Sequence, residues 1–599
     1  MKHTKTFFKK SACIFLQVSV IVFISLSIFN PLFSATYYVR TDGNNANTGT
    51  GPAAGQAWQT VSKAALVLGP GDIVYVAPGT YTEQVNITIS GNPGNKIQYI
   101  ADTDASEFPG ITAGQVILQG NLSIDNGFYI RAASYIAIDG FTIKDSDRDG
   151  IFLDTYNLGN CSYVEIKNCS IINAGSSGIF LHGSAIFGTG YFYCNYNDIH
   201  NNCIDNAADD GIEVRGGYED WAITSNTYWN SYNKIYNNSI DCDRYGIYGL
   251  YGIDHTDIYN NKITTNVSSG VGIYLPGAHR KWFTIIYNNV VSESDMGIYQ
   301  WSANSNYSKV LYNSFYTTGT CVSWAFEEAA DGDLVEIQNN IFYTTSTSSS
   351  EYCLFVWDDV DMVTPVVNYN HYYRSATTNS YAAYTTANVY NLAQFSNWKT
   401  NYNFDQNSTW GTDPLFTSAA DLHLNSLSPC INTGTPLASY TTDIDGETRD
   451  AVAPDIGADE YSLNPQPFTS CTCAPLPVAP TLASVDRNNF CADDAGNISL
   501  SVTGGSGTTV GWYTSSCGVT SAGTGNPLVI ASPTATTTYY VRWENTCGNS
   551  SCQSVTVTVL PLPVAPTLAS VDRNNFCADD AGNISLSVTG GSGTTVGWY

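Results

Sequence analysis

Along this chain apolar and polar residues alternate in short runs broken by Gly, Asn and Pro, the signature of strands that each bury one face. One run recurs, with Gly followed by Ile: DGIFLD (149–154), SGIFLHG (177–183), DGIEVRG (210–216), YGIYGLYG (245–252), VGIYLPG (271–277) and MGIYQWS (296–302). The glycines stand 28, 33, 35, 26 and 25 residues apart. A second unit alternates with it, built around Asn-Asn or close to it: EIKNCSI ending at Ile171, KIYNNSI at Ile240, DIYNNKI at Ile263, TIIYNNVV at Val291, VLYNSFY at Tyr316 and EIQNNIFY at Tyr343. Each period therefore holds two or three short strands joined by Asn and Gly turns. No amphipathic helix is expected beyond a short stretch at Val61 to Leu68.

A period near 25 residues is too short for a propeller blade of ~40 to 50 and lacks the Leu-rich pattern of a horseshoe. It predicts an all-β fold, a right-handed parallel β-helix (solenoid) with one coil per period and coils stacked ~4.8 Å apart. Stacking turns like residues into ladders. A recurring Asn can then occupy the left-handed bend between strands and hydrogen-bond to the Asn one coil away. The Ile of each Gly-Ile builds a dry core, and residues 60 to 345 are expected to form one continuous stack with Gly246, Gly272 and Gly297 in vertical register.

The flanks extend this reading. AWQTVSKAALVLGPGDIVYVAPGTYTEQVNI (57–87) resembles the amino-terminal cap of secreted β-helix proteins of the pectate-lyase-like superfamily, in which a helix covers the open end of the core. TDPLFTSAADLHLNSLSPCINTG and TDIDGETRDAVAPDIGADEY (412–461) resemble the terminal segment of bacterial β-helix surface proteins. The resemblance covers 36–461. It implies the fold but not one activity, because the superfamily includes lyases, hydrolases, epimerases and non-catalytic adhesins.

Downstream, the 39 residues 475–513 recur unchanged at 561–599. Their alternating runs between Gly, Ser and Pro turns read as sandwich strands and resemble the immunoglobulin-like modules of bacterial surface proteins. The expected organisation is a signal peptide (1–35), the β-helix with both terminal segments (36–461), a Pro-rich linker (462–480), one immunoglobulin-like β-sandwich module (481–560) and a truncated second module (561–599). The second copy stops inside a strand pair, so the chain is expected to be a fragment of a longer protein.

Composition narrows the partners. Only 13% of the residues are charged and 13% are aromatic, which excludes a charge-rich disordered chain and a coiled coil. The four Lys of the first ten residues, the apolar run 12–29 and the small residues Ser34 and Ala35 have the layout of a secretory signal peptide, set against a single membrane anchor. A secreted or cell-surface location follows. A net charge of -28 repels phosphate backbones, so nucleic acid is not an expected partner. Fifteen of the 16 Cys follow the leader, and in an exported chain they are free to pair.

Register locates candidate chemistry. If Ile179, Ile212, Ile247, Ile273 and Ile298 point inward, the residues one later point outward: Phe152, Phe180, Glu213, Tyr248, Tyr274 and Tyr299. Two positions on, the column reads Asp154, His182, Arg215, Leu250, Pro276 and Trp301. Three adjacent coils thus gather Asp154, His182, Glu213 and Arg215 as candidate catalytic residues, with Asp209 and Asp210 entering the same strand. Tyr248, Tyr274, Tyr299 and Trp301 form a candidate substrate-binding track. Rings pack on sugar faces, Arg neutralises a uronate, and a His or carboxylate moves a proton. The plainer account is an Asp154–Arg215 surface ion pair beside a solvated His182 and Glu213.

Family motifs discriminate by what is missing. Asp209-Asp210-Gly211 resembles the paired aspartates of polygalacturonase-type hydrolases, but the Gly-His-Gly and Arg-x-Lys partners do not follow. Ile253-Asp254-His255 resembles a fragment of the pectate lyase signature, with Gly252 in place of its Trp and no Arg-x-Pro-x-x-Arg. His279, Arg280 and Lys281 offer a basic trio suited to a lyase, or a solvated loop. Asp443-x-Asp445-Gly446-x-x-Arg449 matches a calcium loop only at its start, so a turn is expected there. Cys471 and Cys473 suit a disulfide better than a metal. The resulting expectation is a monomer that acts on or binds polysaccharide at a cell surface or in an extracellular matrix. It is a polysaccharide lyase or glycoside hydrolase, or else a non-catalytic adhesin or structural protein. No metal ligands are assigned, and Ca²⁺ is the cofactor left open.

Overall fold

In the computed structural model of the protein, residues 34–599 are described apart from 187–189, 217–229, 251–252, 278–282, 303–307, 327–335, 359–365, 376–379, 385–387, 463–476, 508, 519 and 546–547. The leader, the trio His279 to Lys281 and the pair Cys471 and Cys473 lie outside the described residues.

Three sheets of twelve strands run the length of the first part of the chain. The first goes from Thr36–Val39 to Val366–Asn368, the second from Gly79–Tyr81 to Thr409–Trp410, and the third from Val85–Ile87 to Asn388–Asn391. Within each sheet every strand pairs in parallel with its counterpart one coil away, except the antiparallel pair Ser380–Tyr384 and Asn388–Asn391. This is a parallel β-helix with three strands per coil. It runs beyond the Gly-Ile motifs in both directions, because outer coils keep the inward apolar position without the motif, as at Phe128 and Leu354.

The inward column is as expected: Ile151, Ile179, Ile212, Ile247, Ile273, Ile298 and Val322 are register partners in turn, all fully buried. Burying each contributes roughly 1.5–3 kcal/mol. The glycine before each Ile is required by close approach. A Cβ on Gly246 would lie 2.2 Å from Ile263 Cγ2 and 2.5 Å from Gly272 O, and one on Gly272 would lie 2.8 Å from Gly297 O.

The Asn-Asn pairs divide two roles between neighbours. The first Asn takes the left-handed bend, with φ of 52 to 58° at Asn168, Asn201, Asn237, Asn260, Asn288 and Asn339. The second forms the ladder: the side-chain amide of Asn202 donates to Asn238 Oδ1, Asn238 to Asn261, Asn261 to Asn289, Asn289 to Asn313, Asn313 to Asn340 and Asn340 to Asn370, all at 3.0–3.1 Å. At these turns the two roles expected of one Asn fall on neighbours. At another turn one residue does both: Asn173 and Asn206, in the left-handed bend at φ 55 and 59°, lie one coil apart, and the Asn206 amide donates to Asn173 Oδ1 at 2.8 Å.

Both ends of the stack are covered. At the start a helix, Val61–Ala65, shorter than the predicted 61–68, is capped by Thr60 and buries Val61, Ala64 and Ala65. At the far end an eight-residue helix, Phe395–Tyr402, buries Trp398, whose indole N–H donates to Asp405 Oδ2 at 2.8 Å. The sequence does not announce this helix, because seven of its eight positions escape burial and no periodic stripe forms. Residues 412–461 form turns and isolated bridges packed on the second sheet, where Leu422, Ile444 and Ala458 meet Val290, and Leu424, Cys430 and Ile456 meet Ile341.

The following module is a pair of antiparallel sheets around Ile498, Leu500, Trp512 and Val541, with a disulfide between Cys517 and Cys552. Residues 561–599 repeat its sequence, yet the described strands there are only Leu568–Val571 and Leu586–Thr589. Trp512 is fully buried, whereas the equivalent Trp598 is 44% exposed. A sandwich core is contributed by strands far apart in sequence, so half the sequence does not bury half the core.

Candidate functional site

Two side-chain columns leave the outer face of the third sheet, in the register read from the sequence. Tyr129, Phe152, Phe180, Glu213, Tyr248, Tyr274 and Tyr299 are successive partners in the first. Arg131, Asp154, His182, Arg215 and Leu250 are partners in the second, and Pro276 pairs with Trp301 farther along. Outward does not mean solvated here. Asp154, Phe152, Phe180, Glu213 and Tyr248 are all buried, because coils one strand apart let large side chains cover one another. Tyr274 and Tyr299 are half-buried, and Tyr274 leans on Tyr245 with ring centres 4.3 Å apart.

Asp154 is the hub. Its Oδ1 lies 3.2 Å from His182 Nδ1 and accepts the Tyr156 N–H at 2.9 Å, and its Oδ2 accepts the Tyr129 hydroxyl at 2.8 Å. Burial pushes this carboxyl up, but the bonds from His182, Tyr129 and Tyr156 outweigh burial and hold it below its ordinary value. An ionised carboxylate only accepts, so it selects the tautomer with hydrogen on Nδ1 and leaves a lone pair on Nε2. Phe152 and Phe180 stack with centres 4.9 Å apart, and the His182 ring lies 5.5 Å from that of Phe180. The Arg215 guanidinium sits 5.2 Å above Phe180 and that of Arg148 5.8 Å above Phe152. Together with Tyr156, Asn157 and Ser184 these groups line a cleft of about 360 Å³.

The other predicted carboxylates stand apart from this cleft. Arg215 reaches Glu213 Oε1 at 2.5 Å, and Glu213 Oε2 accepts the Ser177 hydroxyl at 3.2 Å. Burial raises the Glu213 carboxyl above its usual range against the pull of Arg215 and Ser177. At the start of the same strand, Asp209 and Asp210 face Arg244 at 2.7 and 3.5 Å rather than His182. Burial, then the charges of Asp209 and Glu213, push Asp210 up to about 7, and burial pushes Asp149 up to about 6. The six candidates thus divide into a cleft set (Asp154, His182, Arg215) and an acidic set outside its lining (half-buried Asp209 with buried Asp210 and Glu213). Asp254 and His255 pair at 2.7 Å elsewhere, inside a stack of Tyr232, His255 and Phe283.

Tyr129, Arg131, Arg148 and Tyr156 escaped the sequence reading. The signal for the first two was Gly127-Phe128-Tyr129-Ile130-Arg131, one more copy of the strand with Phe in place of Ile after the glycine.

Residues 477–561 match the family model described as "Ig-like domain CHU_C associated". The chain joins a parallel β-helix to an immunoglobulin-like module. No curated protein matches it. Among solved structures it is similar to a pectate lyase, Pel9A, with 18% identity over 72% of this chain and 97% of the other, TM-score 0.44. An alginate lyase from Paenibacillus sp. strain FPU-7 shares 18% identity over 54% and 95% of the two chains, TM-score 0.33. PfbA, a surface adhesin of Streptococcus pneumoniae, shares 13% over 52% and 80%, TM-score 0.28.

Proposed function

We propose that this protein is an exported polysaccharide lyase that cleaves a uronate-containing glycan in the cleft above Phe152 and Phe180. The supporting observation is the contact of His182 Nδ1 with Asp154, which leaves Nε2 available as a base in a cleft lined by Arg148 and Arg215. Guanidinium groups neutralise the uronate carboxylate and so acidify the C5 hydrogen. His182 Nε2 takes that proton, a C4–C5 double bond forms as the C4–O4 bond breaks, and O4 leaves with a proton from water or from the Tyr156 hydroxyl.

A hydrolase fits less well. Two carboxyl groups must flank a glycosidic bond, one of them protonated. Asp154 is the sole carboxylate among the described residues lining the cleft, and its partners keep it ionised. Export and surface display are part of the same proposal, resting on the apolar leader and the immunoglobulin-like module. Among the described residues no helix is long and apolar enough to cross a membrane.

The test incubates the full chain with polygalacturonate, alginate and a neutral glycan while following the ultraviolet absorbance of unsaturated uronate ends. Absorbance that grows with an acidic glycan and vanishes in His182→Ala supports the lyase. New reducing ends without absorbance would replace it with a hydrolase, and binding without either would replace it with an adhesin.

A further inference from the structure

In sequence, Asp443-x-Asp445-Gly446 opens like a calcium loop and lacks the later acidic ligand. The fold supplies one. Gly446, at φ 85°, turns the loop back, and Asp443 Oδ1 accepts the N–H groups of Asp445 and Glu447 at 3.0 and 2.7 Å. Asp459 arrives from the other side of the segment. One carboxylate oxygen from each of Asp443, Glu447 and Asp459 lies within 4.8 Å of the others.

A separate observation marks this cluster as a place for a ligand. Asp459 is 2% exposed, and its Oδ2 accepts the Leu424 N–H at 2.8 Å. Its Oδ1 is shielded from solvent and has no hydrogen-bond partner. A buried carboxylate oxygen without a donor is costly unless a cation meets it.

The nearby bases are engaged elsewhere. Both ring nitrogens of His423 face carboxylates, Asp421 on one side and Asp445 at 2.8 Å on the other. Lys262 lies 4.0 Å from Asp445. Arg449 lies 3.5 Å from Glu460 and donates to Asn288 Oδ1 and to the carbonyls of Gly457 and Ala458. Asp421, Asp443, Asp445, Glu447, Asp459 and Glu460 thus outnumber these three bases two to one.

We propose that Asp443, Glu447 and Asp459 form a Ca²⁺ site that ties the carboxy-terminal segment of the β-helix to the coils beneath it. All-oxygen ligands select a hard cation, and the engaged His423 argues against zinc. Two oxygens on opposite sides of Ca²⁺, each ~2.4 Å from it, stand ~4.8 Å apart, so three oxygens within 4.8 Å of one another can all reach one ion. The ion would clamp the 443–447 turn to residue 459. The adjoining Gly457 and Ala458 already hold the coils through Asn339 O at 2.8 Å and Ser314 Oγ at 2.9 Å.

The test uses the full chain stripped with EDTA, titrated calorimetrically with CaCl₂ and melted with and without the ion. Wild type is expected to bind one equivalent more than Asp459→Asn and to gain more in melting temperature from Ca²⁺. Asp459→Asn keeps an oxygen for the Leu424 N–H, so in EDTA it should melt no lower than wild type. Glu447→Gln, at a half-buried position, is expected to weaken binding at least tenfold and carries the test if Asp459→Asn does not fold. Equal stoichiometry and equal Ca²⁺-dependent shifts in wild type and both variants would overturn the site. So would a wild type that binds no Ca²⁺ at ~1 mM, the weak end of extracellular calcium sites.

Discussion

His182 Nδ1 lies 3.2 Å from Asp154 Oδ1 although 28 residues separate them, because the two are register partners one coil apart. A solenoid thereby assembles a base and the group that orients it without any local motif. Asp154→Asn keeps the size of the side chain but lets the imidazole take the other tautomer. It is expected to lower kcat on an acidic glycan by at least ~10²-fold with little change in KM. Steady-state kinetics beside a circular dichroism melt check this, and an unchanged kcat would remove His182 as the base.

Arg215 has a structural duty as well as a place in the cleft. It is the cation for Glu213, which is 4% exposed. Arg215→Ala should therefore destabilise the fold by about 1–3 kcal/mol, through a buried acid left without its partner. Adding Glu213→Gln should return most of that loss. Urea denaturation of the single and double variants measures both numbers.

Asp210 makes stability fall with rising pH. Its folded carboxyl titrates at about 7, whereas an unfolded aspartate titrates near ~3.9. Between those values the folded chain holds a proton that the unfolded chain has lost, so this contribution is full below pH ~4 and is lost by pH ~7. Asp210→Asn should match wild type in a melt at pH 4 and exceed it at pH 8. Equal differences at both pH values would show that burial does not perturb Asp210.

Neighbouring asparagines should respond unequally. Asn260 occupies the left-handed bend, which glycine adopts freely, so Asn260→Gly should cost under ~1 kcal/mol. Asn261 accepts from the Asn238 backbone and side chain and donates to Ile235 O and Asn289 Oδ1. Asn261→Ala strands buried groups in both adjoining coils and should cost ~3 kcal/mol or more. Chemical denaturation of the two variants ranks them.

Much of this was legible because the fold is periodic. Gly-Ile spacing fixed which residues stack, and the columns from Phe152 to Tyr299 and from Asp154 to Arg215 follow from it by alternation. Alternation gives direction and not depth, so it could not say that Glu213 is covered or that Asp210 turns toward Arg244. Arg131 was hidden by one Phe in place of Ile. Arg148 and Tyr156 reach the cleft from turns, where side-chain direction depends on left-handed residues such as Tyr156 itself, at φ 46°. The end helix 395–402 owes its existence to the coil it covers, and that coil is not visible in its own eight residues.

A parallel β-helix is in principle an open-ended polymer, since each coil offers the next a complete set of unpaired backbone groups. Here growth is terminated chemically. Asn388–Asn391 folds back antiparallel on the last parallel strand of the third sheet, and Trp398, Phe395 and Trp410 seal the apolar column, with Phe395 and Trp410 stacked 4.4 Å apart. These few residues act as a chain stopper. They keep coils from one molecule from adding to coils of another, so they separate a discrete protein from a fibre.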